Sequence, residues 1–261
     1  MLRRLLSLGS GLYGLIVPVA ALLLWTLASR QQWLSEQTLP GPGAVWDALS
    51  SSVGSGELGA ALSISLRRVF YGFALGAGLG LLLGAAMGLS RTFREYFDPS
   101  FCAAVYLPLL GWVPLLVMLL GVGEALKIVL IAKAALVPVA LNTYGGVRSV
   151  PRHYFELSGV YRFSAGQRLL RVVLPAALPQ IWSGLRLGLS VSFFVLVAVE
   201  FMAASEGLGY LMVSGQQLFQ MNLVLAMALV IGLIGLLQDR ILAGMEARLL
   251  RWRRPAFGGR S

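Results

Sequence analysis

Long apolar segments alternate with short polar ones along most of the chain. A helix needs roughly 20 apolar residues to cross a hydrocarbon core of about 30 Å, and six segments come near that length. They cover residues 12–28, 69–90, 101–121, 127–146, 181–203 and 222–242. The pattern predicts an all-α membrane protein with about six transmembrane helices.

The first apolar segment leaves five spans open as an alternative. Arg3 and Arg4 in front of an apolar run are also typical of a signal peptide. The run at 12–28 is longer than most signal h-regions, which favours a retained helix.

Composition agrees with a membrane protein. The chain has 261 residues, of which 57% are hydrophobic and 12% charged, whereas roughly a quarter of the residues in soluble domains are charged. The net charge of +10 would indicate nucleic acid binding in a soluble domain. Here the basic residues flank the apolar segments instead of forming one patch, so no nucleic-acid partner is expected.

The placement of Lys and Arg predicts the orientation of the chain. With the N-terminus inside, fifteen of them fall in inner segments and four in outer segments, namely Arg30, Arg67, Arg68 and Lys127. Because cytoplasmic loops carry the excess of basic residues, both termini are expected in the cytoplasm. The chain then divides into a cytoplasmic end with the first helix (1–28), an extracytoplasmic segment (29–66), a core of five helices (67–242) and a basic cytoplasmic tail (243–261).

Residues that could carry catalysis or bind a cofactor are scarce. The chain has one cysteine, Cys102, and one histidine, His153, so neither an intrachain disulfide nor a His/Cys metal site is expected. It contains no G-x-x-x-x-G-K-[ST] motif, so no nucleotide site of its own is expected. An intramembrane enzyme would need nucleophiles, metal ligands or carboxylates clustered within the spans. The lone His153 lies in a polar loop, so this class is not favoured. A stand-alone secondary transporter stays open as an alternative, although no internal repeat supports it.

A basic, polar island at about 148–180 separates the fourth and fifth apolar segments. Pro151 suits the first turn of a helix that extends to about Gly159 or Tyr161. Ser164, followed by Gln167 three residues later, predicts a capping box that opens a second helix. Pro175 and Pro179 are expected to end that second helix. The island therefore predicts a short helix, a turn and another helix.

The island resembles the "EAA" loop of permease subunits of ABC importers. The similarity lies in Glu156-Leu157-Ser158, in Val-Val-Leu-Pro-Ala-Ala-Leu-Pro at 172–179 and in Gly-Leu-Arg at 184–186. Further motifs resemble the taurine, nitrate and aliphatic-sulfonate branch of these permeases. They are Leu-Pro-Gly-Pro at 39–42, Gly-Val-Gly-Glu-Ala-Leu-Lys-Ile at 121–128, Asn142, Gly-Val-Arg at 146–148 and Gly-Leu-Gly-Tyr-Leu at 207–211.

This resemblance implies the type I importer permease fold, with a cytoplasmic coupling helix that docks on an ATPase. The implied assembly is a homodimer in the prokaryotic inner membrane, served by two ATPase subunits and an extracytoplasmic binding protein, and the chain itself is not an enzyme. The implied cargo is a small solute, expected to be an anion resembling sulfonate, taurine or nitrate. Carried over by position, the ATPase-coupling residues are Glu156, Leu157, Ser158, Gly159, Arg162, Leu174 and Pro175.

One position departs from the family pattern. Arg162 stands where the family has a glycine, six residues after the glutamate. A left-handed backbone costs arginine on the order of 1 kcal/mol more than glycine, so the turn is expected to be built differently. Gly159 could end the first helix one turn early.

Three further features are predicted within the membrane. Five glycines recur every fourth residue and predict a helix-packing face, either within the subunit or across a dimer; they are Gly72, Gly76, Gly80, Gly84 and Gly88. The prolines Pro108, Pro114 and Pro138 predict kinks in the third and fourth spans, which are expected to line the pathway. Lys133 and Glu200 are candidate pathway residues that could pair with each other. Alternatively, Lys133 could attract an anion or satisfy helix carbonyls, and Glu200 could snorkel to the outer boundary.

Overall fold

The computed structural model describes residues 2–35 and 37–251, and it describes side chains from residue 16 onward except that of Arg152. Within these residues the regular structure is helical throughout. The α-helices are α1 (Leu2–Arg30), α2 (Pro42–Gly54), α3 (Glu57–Leu89), α4 (Arg91–Tyr106), α5 (Val113–Leu120), α6 (Glu124–Arg148), α7 (Arg152–Val160), α8 (Ala165–Arg168), α9 (Leu174–Ala203), α10 (Leu208–Gln217) and α11 (Met221–Leu249). A 3-10 helix, Leu109–Trp112, precedes α5, and a π-helix, Leu169–Val173, joins α8 to α9.

Three helical segments in the described chain are long and apolar enough to cross a membrane: Glu57–Leu89, Ala165–Ala203 and Met221–Leu249. A fourth span is possible if α4 and the Leu109–Leu120 segment, which are bent by 98° relative to each other, count as one. The other two predicted spans fall on α1, of which only Ile16–Arg30 has described side chains, too short a stretch to cross by itself, and on α6. With 25 residues, α6 is about 38 Å long, which is enough to cross.

Helix α6 lies at the centre of the bundle because two glycine-bearing helices pack against it. All five glycines of the predicted packing face on α3 contact α6 of the same subunit. A Cβ on Gly80 would come within 2.8 Å of the Leu136 carbonyl oxygen, and one on Gly76 would overlap the Ala132 carbonyl. On the other side, Gly184 and Gly188 of α9 approach Asn142 and Val139 of α6. The glycines thus allow close backbone contact within one subunit.

The third predicted span is broken after Tyr106. Pro108 lies between α4 and the 3-10 helix, in the gap where the 98° bend occurs, and Pro114 stands at the start of α5. Proline lacks the N–H that would continue the helix, so a break here agrees with the predicted kink. Helix α6, in contrast, continues through Pro138 to Arg148.

The segment between α1 and α3 packs onto the end of the bundle. Gly41 caps α2 and Pro42 is its first residue, as expected for a Gly-Pro helix start. The indole of Trp25 in α1 donates to the Pro40 carbonyl at 3.0 Å. Val45 of α2 joins an apolar cluster with α10 and α11. The Leu-Pro-Gly-Pro turn therefore joins α1 to the bundle.

Candidate functional site

The polar island folds into the predicted helix, turn and helix. Pro151 caps α7, which runs to Val160, and the chain then turns through residues 161–163. Ser164 accepts from the Gln167 N–H at 3.3 Å, and the Ser164 N–H donates to the Gln167 side chain at 3.0 Å. The predicted capping box is confirmed.

The turn after α7 is a Schellman motif with arginine in the glycine position. Arg162 has φ +51°, in the left-handed region. Its N–H donates to the Gly159 carbonyl at 2.9 Å, and the N–H of Phe163 donates to the Ser158 carbonyl at 3.0 Å. Gly159 does not end α7 early, so that expectation and the expectation of a different turn were wrong. The hydrogen bonds of the motif hold the arginine in the geometry that a glycine would adopt more easily.

Helix α7 has one anchored face and one exposed face. Phe155 packs on an apolar cluster with Val147, Val173 and Ile181. Ser158 is 2% exposed and donates to the Phe155 carbonyl at 2.7 Å.

On the other side of α7, Glu156, Leu157 and Gly159 are exposed, as is Arg162 in the turn that follows. Large apolar side chains are also exposed there, with Leu157 at 52% and Val160 at 79%, beside Tyr154 and Tyr161. Such contiguous exposed apolar groups are typical of a surface that binds a partner. Of the predicted coupling residues near α7, only Ser158 faces inward.

The second helix of the island continues into the membrane. The prediction that Pro175 and Pro179 end it was wrong, because α8, the π-helix and α9 form one helical segment from Ala165 to Ala203. In the π-helix the Leu174 N–H donates to the carbonyl of Leu169, five residues earlier. The wider turn accommodates the ring of Pro175 directly after it. Leu174 and Pro175 are both exposed at this junction.

Lys133 and Glu200 do not pair in the structure, so that expectation was wrong. The Lys133 ammonium lies 3.4 Å from the Leu107 carbonyl oxygen, at the break in the third span, and 4.9 Å from the centre of the Trp112 ring. Lys133 therefore donates to a carbonyl at a helix end, which was one of the alternatives considered for it. Glu200 does not snorkel to a boundary, because it is 1% exposed.

Glu200 belongs instead to a buried cluster of charges that the sequence pattern did not reveal. Arg68, which is 3% exposed, donates to Glu200 at 2.7 Å and to both oxygens of Glu124 at 2.6 and 2.7 Å. Lys127 donates to Glu124 at 2.7 Å. Ser65 donates to Glu200 at 2.8 Å. Of these four charged groups only Glu124 is exposed, with 57% of its side chain accessible. The two positive and two negative charges balance, which makes burial of the other three tolerable.

The carboxylate of Glu124 lies at the first residue of α6, outside the apolar segments. Hydrogen bonds from the guanidinium of Arg68, with a smaller contribution from Lys127, lower the pKa of Glu124 to about 2. The only signal in the sequence was the presence of charged residues at the edges of apolar segments. Since Arg68 and Glu200 are 132 residues apart, no local pattern could pair them.

The Gly-Leu-Gly motif at 207–209 wraps around the Glu200 carboxylate. Gly207 has φ +117°, and a side chain there would overlap the carboxylate of Glu200. The Gly209 N–H donates to Glu200 at 2.9 Å, and the Leu208 N–H donates to Ser65 at 3.0 Å. The carboxylate thus lies at the N-terminus of α10, where the helix dipole favours negative charge. The motif closes the buried cluster.

The long apolar helices, together with a broken span, define a multi-pass membrane protein whose polar loop exposes an apolar helix face. The comparison with known proteins identifies the family. The chain belongs to the binding-protein-dependent transport system inner membrane components, whose family model matches residues 76–251. It is therefore the permease subunit of an ABC importer and a multi-pass membrane protein, which favours the ATP-driven class over the stand-alone secondary transporter.

Several curated proteins are similar over most of the chain. An aliphatic sulfonates transport permease protein of Bacillus subtilis (strain 168) is 37% identical over 94% of this chain and 89% of its own length. The taurine transport system permease protein of Escherichia coli (strain K12) is 36% identical over 87% of this chain and 84% of its own. A bicarbonate transport system permease protein of Synechococcus elongatus is 34% identical over 72% and 68%.

Solved structures show the same fold. The crystal structure of an amino acid ABC transporter with histidines matches with a TM-score of 0.61 at 15% identity, over 77% of this chain and 97% of that chain. An inward-facing structure of the methionine ABC transporter MetNI matches with a TM-score of 0.50 at 18% identity, over 77% and 94%. The predicted type I importer fold is confirmed.

Proposed function

We propose that two copies of this chain form an import channel for a small anion, and that two separate ATPase subunits drive it through the loop at about 148–180. An extracytoplasmic binding protein would deliver the solute to the outer face. Both termini and the loop would then lie in the cytoplasm. ATP hydrolysis would belong to the partner subunits alone, and membrane lipid would surround the bundle.

The observation that carries the coupling proposal is the exposed face of α7. An apolar surface on a short helix, anchored from behind by Phe155 and Ser158, suits insertion into a cleft of a partner protein. Glu156 is exposed on the same helix. In this proposal the docking contacts come from Glu156, Leu157 and Gly159, while Ser158 positions the helix.

The loop is also rigidly connected to the membrane helices. The helical segment Ala165–Ala203 is 39 residues long and extends from the loop through the bundle beside α6. Movement of the partner against α7 would therefore pass to α9 as rigid-body motion. Leu174 and Pro175 lie at the junction of loop and span, so we assign them to the transmission of this motion.

A pull-down of the cognate ATPase subunit by the detergent-solubilised chain tests the docking surface. The variant Leu157→Asp is expected to weaken binding by about 30-fold, because buried interface anchors contribute about 2 kcal/mol or more. Leu170→Asp is the matched control, since Leu170 is 64% exposed in the same loop but outside α7. Unchanged binding of the Leu157 variant would contradict the proposed surface, as would equal loss in both variants.

The orientation can be tested with a single engineered thiol. In a Cys102→Ser background, a Val160→Cys variant places an exposed thiol on α7. A membrane-impermeant maleimide should label it in inverted vesicles and leave it unlabelled on intact cells. Labelling on intact cells would place the loop outside and overturn the coupling proposal.

The proposed cargo follows from the similar permeases and from one lysine. Aliphatic sulfonates, taurine and bicarbonate, which the names of these relatives give, all carry an anionic group. Lys133 lies half-buried beside the broken third span, where irregular backbone is tolerated only against protein or water. We keep Lys133 and not Glu200 as a pathway residue, because the carboxylate of Glu200 is enclosed by partners. Lys133→Met should lower anion uptake without changing subunit assembly.

A further inference from the structure

Two arginine side chains meet over one tyrosine at the ends of α4 and α6 that lie beside the polar loop. Arg148, the last residue of α6, donates to the Tyr144 hydroxyl at 2.7 Å. Arg94, in the first turn of α4, lies 3.5 Å from the same oxygen. The Arg148 guanidinium also lies 5.6 Å from the centre of the Tyr144 ring. Both cations are thus held next to each other by one neutral group.

The two cations have no counter-charge within the described part of the chain. Neither Arg94 nor Arg148 has a carboxylate oxygen within ion-pair distance there, whereas Arg91, one turn away, pairs with Glu95 at 2.7 Å. The other strongly bonded arginines, Arg68 and Arg186, also contact carboxylates. Guanidinium groups that converge without a carboxylate favour an external anion, and their planar forks fit phosphate oxygens.

The surroundings of the pair are apolar on the side of the membrane. Leu141, Tyr144 and Arg148 follow at helical spacing on one face of α6, so an exposed leucine is succeeded by a hydroxyl and then by a charge. Leu89, at the end of α3, and Tyr96, two residues after Arg94 in α4, are also exposed. Aromatic and basic residues at the end of an apolar helix are typical of the level of lipid headgroups.

We propose that Arg94, Arg148 and Tyr144 bind the phosphate group of an anionic phospholipid, with the acyl chains along Leu141. A ligand with a phosphate at one end and a hydrocarbon chain at the other matches the order of side chains along α6. The site is distinct from the exposed face of α7. With both termini in the cytoplasm, as proposed above, the site lies in the inner leaflet. Binding of the lipid does not depend on that orientation.

Native mass spectrometry of the full-length chain in detergent tests the site. Dioleoyl phosphatidylglycerol, dioleoyl phosphatidylcholine and inorganic phosphate are titrated separately. The wild-type chain is expected to retain phosphatidylglycerol in preference to phosphatidylcholine. An Arg94→Gln/Arg148→Gln variant should bind phosphatidylglycerol at least about tenfold more weakly, because both guanidinium donors to the phosphate are removed. Arg91→Gln, which removes a paired arginine of the same turn, should bind as the wild type does.

A Tyr144→Phe variant keeps the ring that packs near Phe97 and removes only the hydroxyl. Weaker binding of phosphatidylglycerol by this variant supports the proposal even if the double variant is unstable. The proposal is overturned if phosphatidylcholine binds equally well, if inorganic phosphate displaces phosphatidylglycerol, or if Arg91→Gln has the same effect. It is also overturned if the double variant retains the lipid as the wild type does. Loss of the ATPase subunit together with retained lipid would make the pair a protein contact. The lipid titrations themselves do not bear on docking by α7.

Discussion

Replacing Arg162 by glycine should stabilise the loop that precedes α8. Arg162 holds φ +51° in the Schellman turn, and a left-handed backbone costs an L-residue about 1–2 kcal/mol. Glycine avoids that cost but loses about 0.5–1 kcal/mol more conformational entropy on folding. The net gain is about 0.5–1 kcal/mol, which corresponds to roughly a two- to fivefold smaller population of the open turn.

Hydrogen exchange at the two amides that close the turn reports this population directly. The N–H groups of residue 162 and of Phe163 donate to the Gly159 and Ser158 carbonyls. In Arg162→Gly their exchange should slow by the same two- to fivefold factor. Arg162→Ala keeps the Cβ and removes the guanidinium, so it should leave the rate near that of the wild type. Equal slowing in both variants would show that the guanidinium strains the loop, and faster exchange in the glycine variant would refute the account of the turn.

Three further predictions concern the bundle. Gly76→Ala should destabilise the subunit by about 1–3 kcal/mol, because the added Cβ would overlap a carbonyl of α6. Gly78→Ala, in open space on the same helix, should leave the stability unchanged. Thermal unfolding in detergent measures both, and equal effects would contradict the packing account. Glu200→Gln should cost about 1–3 kcal/mol, because Arg68 loses its buried carboxylate partner and keeps only Glu124. Glu206→Gln, whose side chain is exposed, serves as the control. The depressed pKa of Glu124 means that its stabilising contribution is complete above about pH 4.5 and is lost as the pH falls towards 2. Glu124→Gln should flatten that part of a stability profile, and an unchanged profile would refute the ion pair.

Much of the polar loop could be predicted because its structure depends on neighbours in sequence. The capping box joins Ser164 and Gln167, three residues apart, and the start of α7 follows from Pro151. The error at Pro175 has a local cause as well. Proline was expected to stop the helix, but a single π-helical turn absorbs the ring, and hydropathy does not distinguish a π-turn from an α-turn.

The pairing of charges could not be predicted in the same way. Lys133 and Glu200 were expected as possible partners because both stand within apolar segments. Their partners in the structure are the Leu107 carbonyl, at the break in the third span, and Arg68 of α3, both far away in the sequence. The glycine repeat of α3 indicated a packing face but not the helix that fills it, since the same face serves a neighbour in the subunit or in a dimer.

The sequence by itself determined that the chain is a helical membrane protein, where its apolar segments lie, and where the two helices of the polar loop begin, because hydropathy and helix capping act over a few residues. Only the tertiary structure decided that α6 is the centre of the bundle, that Glu200 is enclosed by Arg68 and the Gly-Leu-Gly motif, and that α7 exposes an apolar face. These outcomes depend on which helix faces meet, and that is set by close packing between residues far apart in the chain.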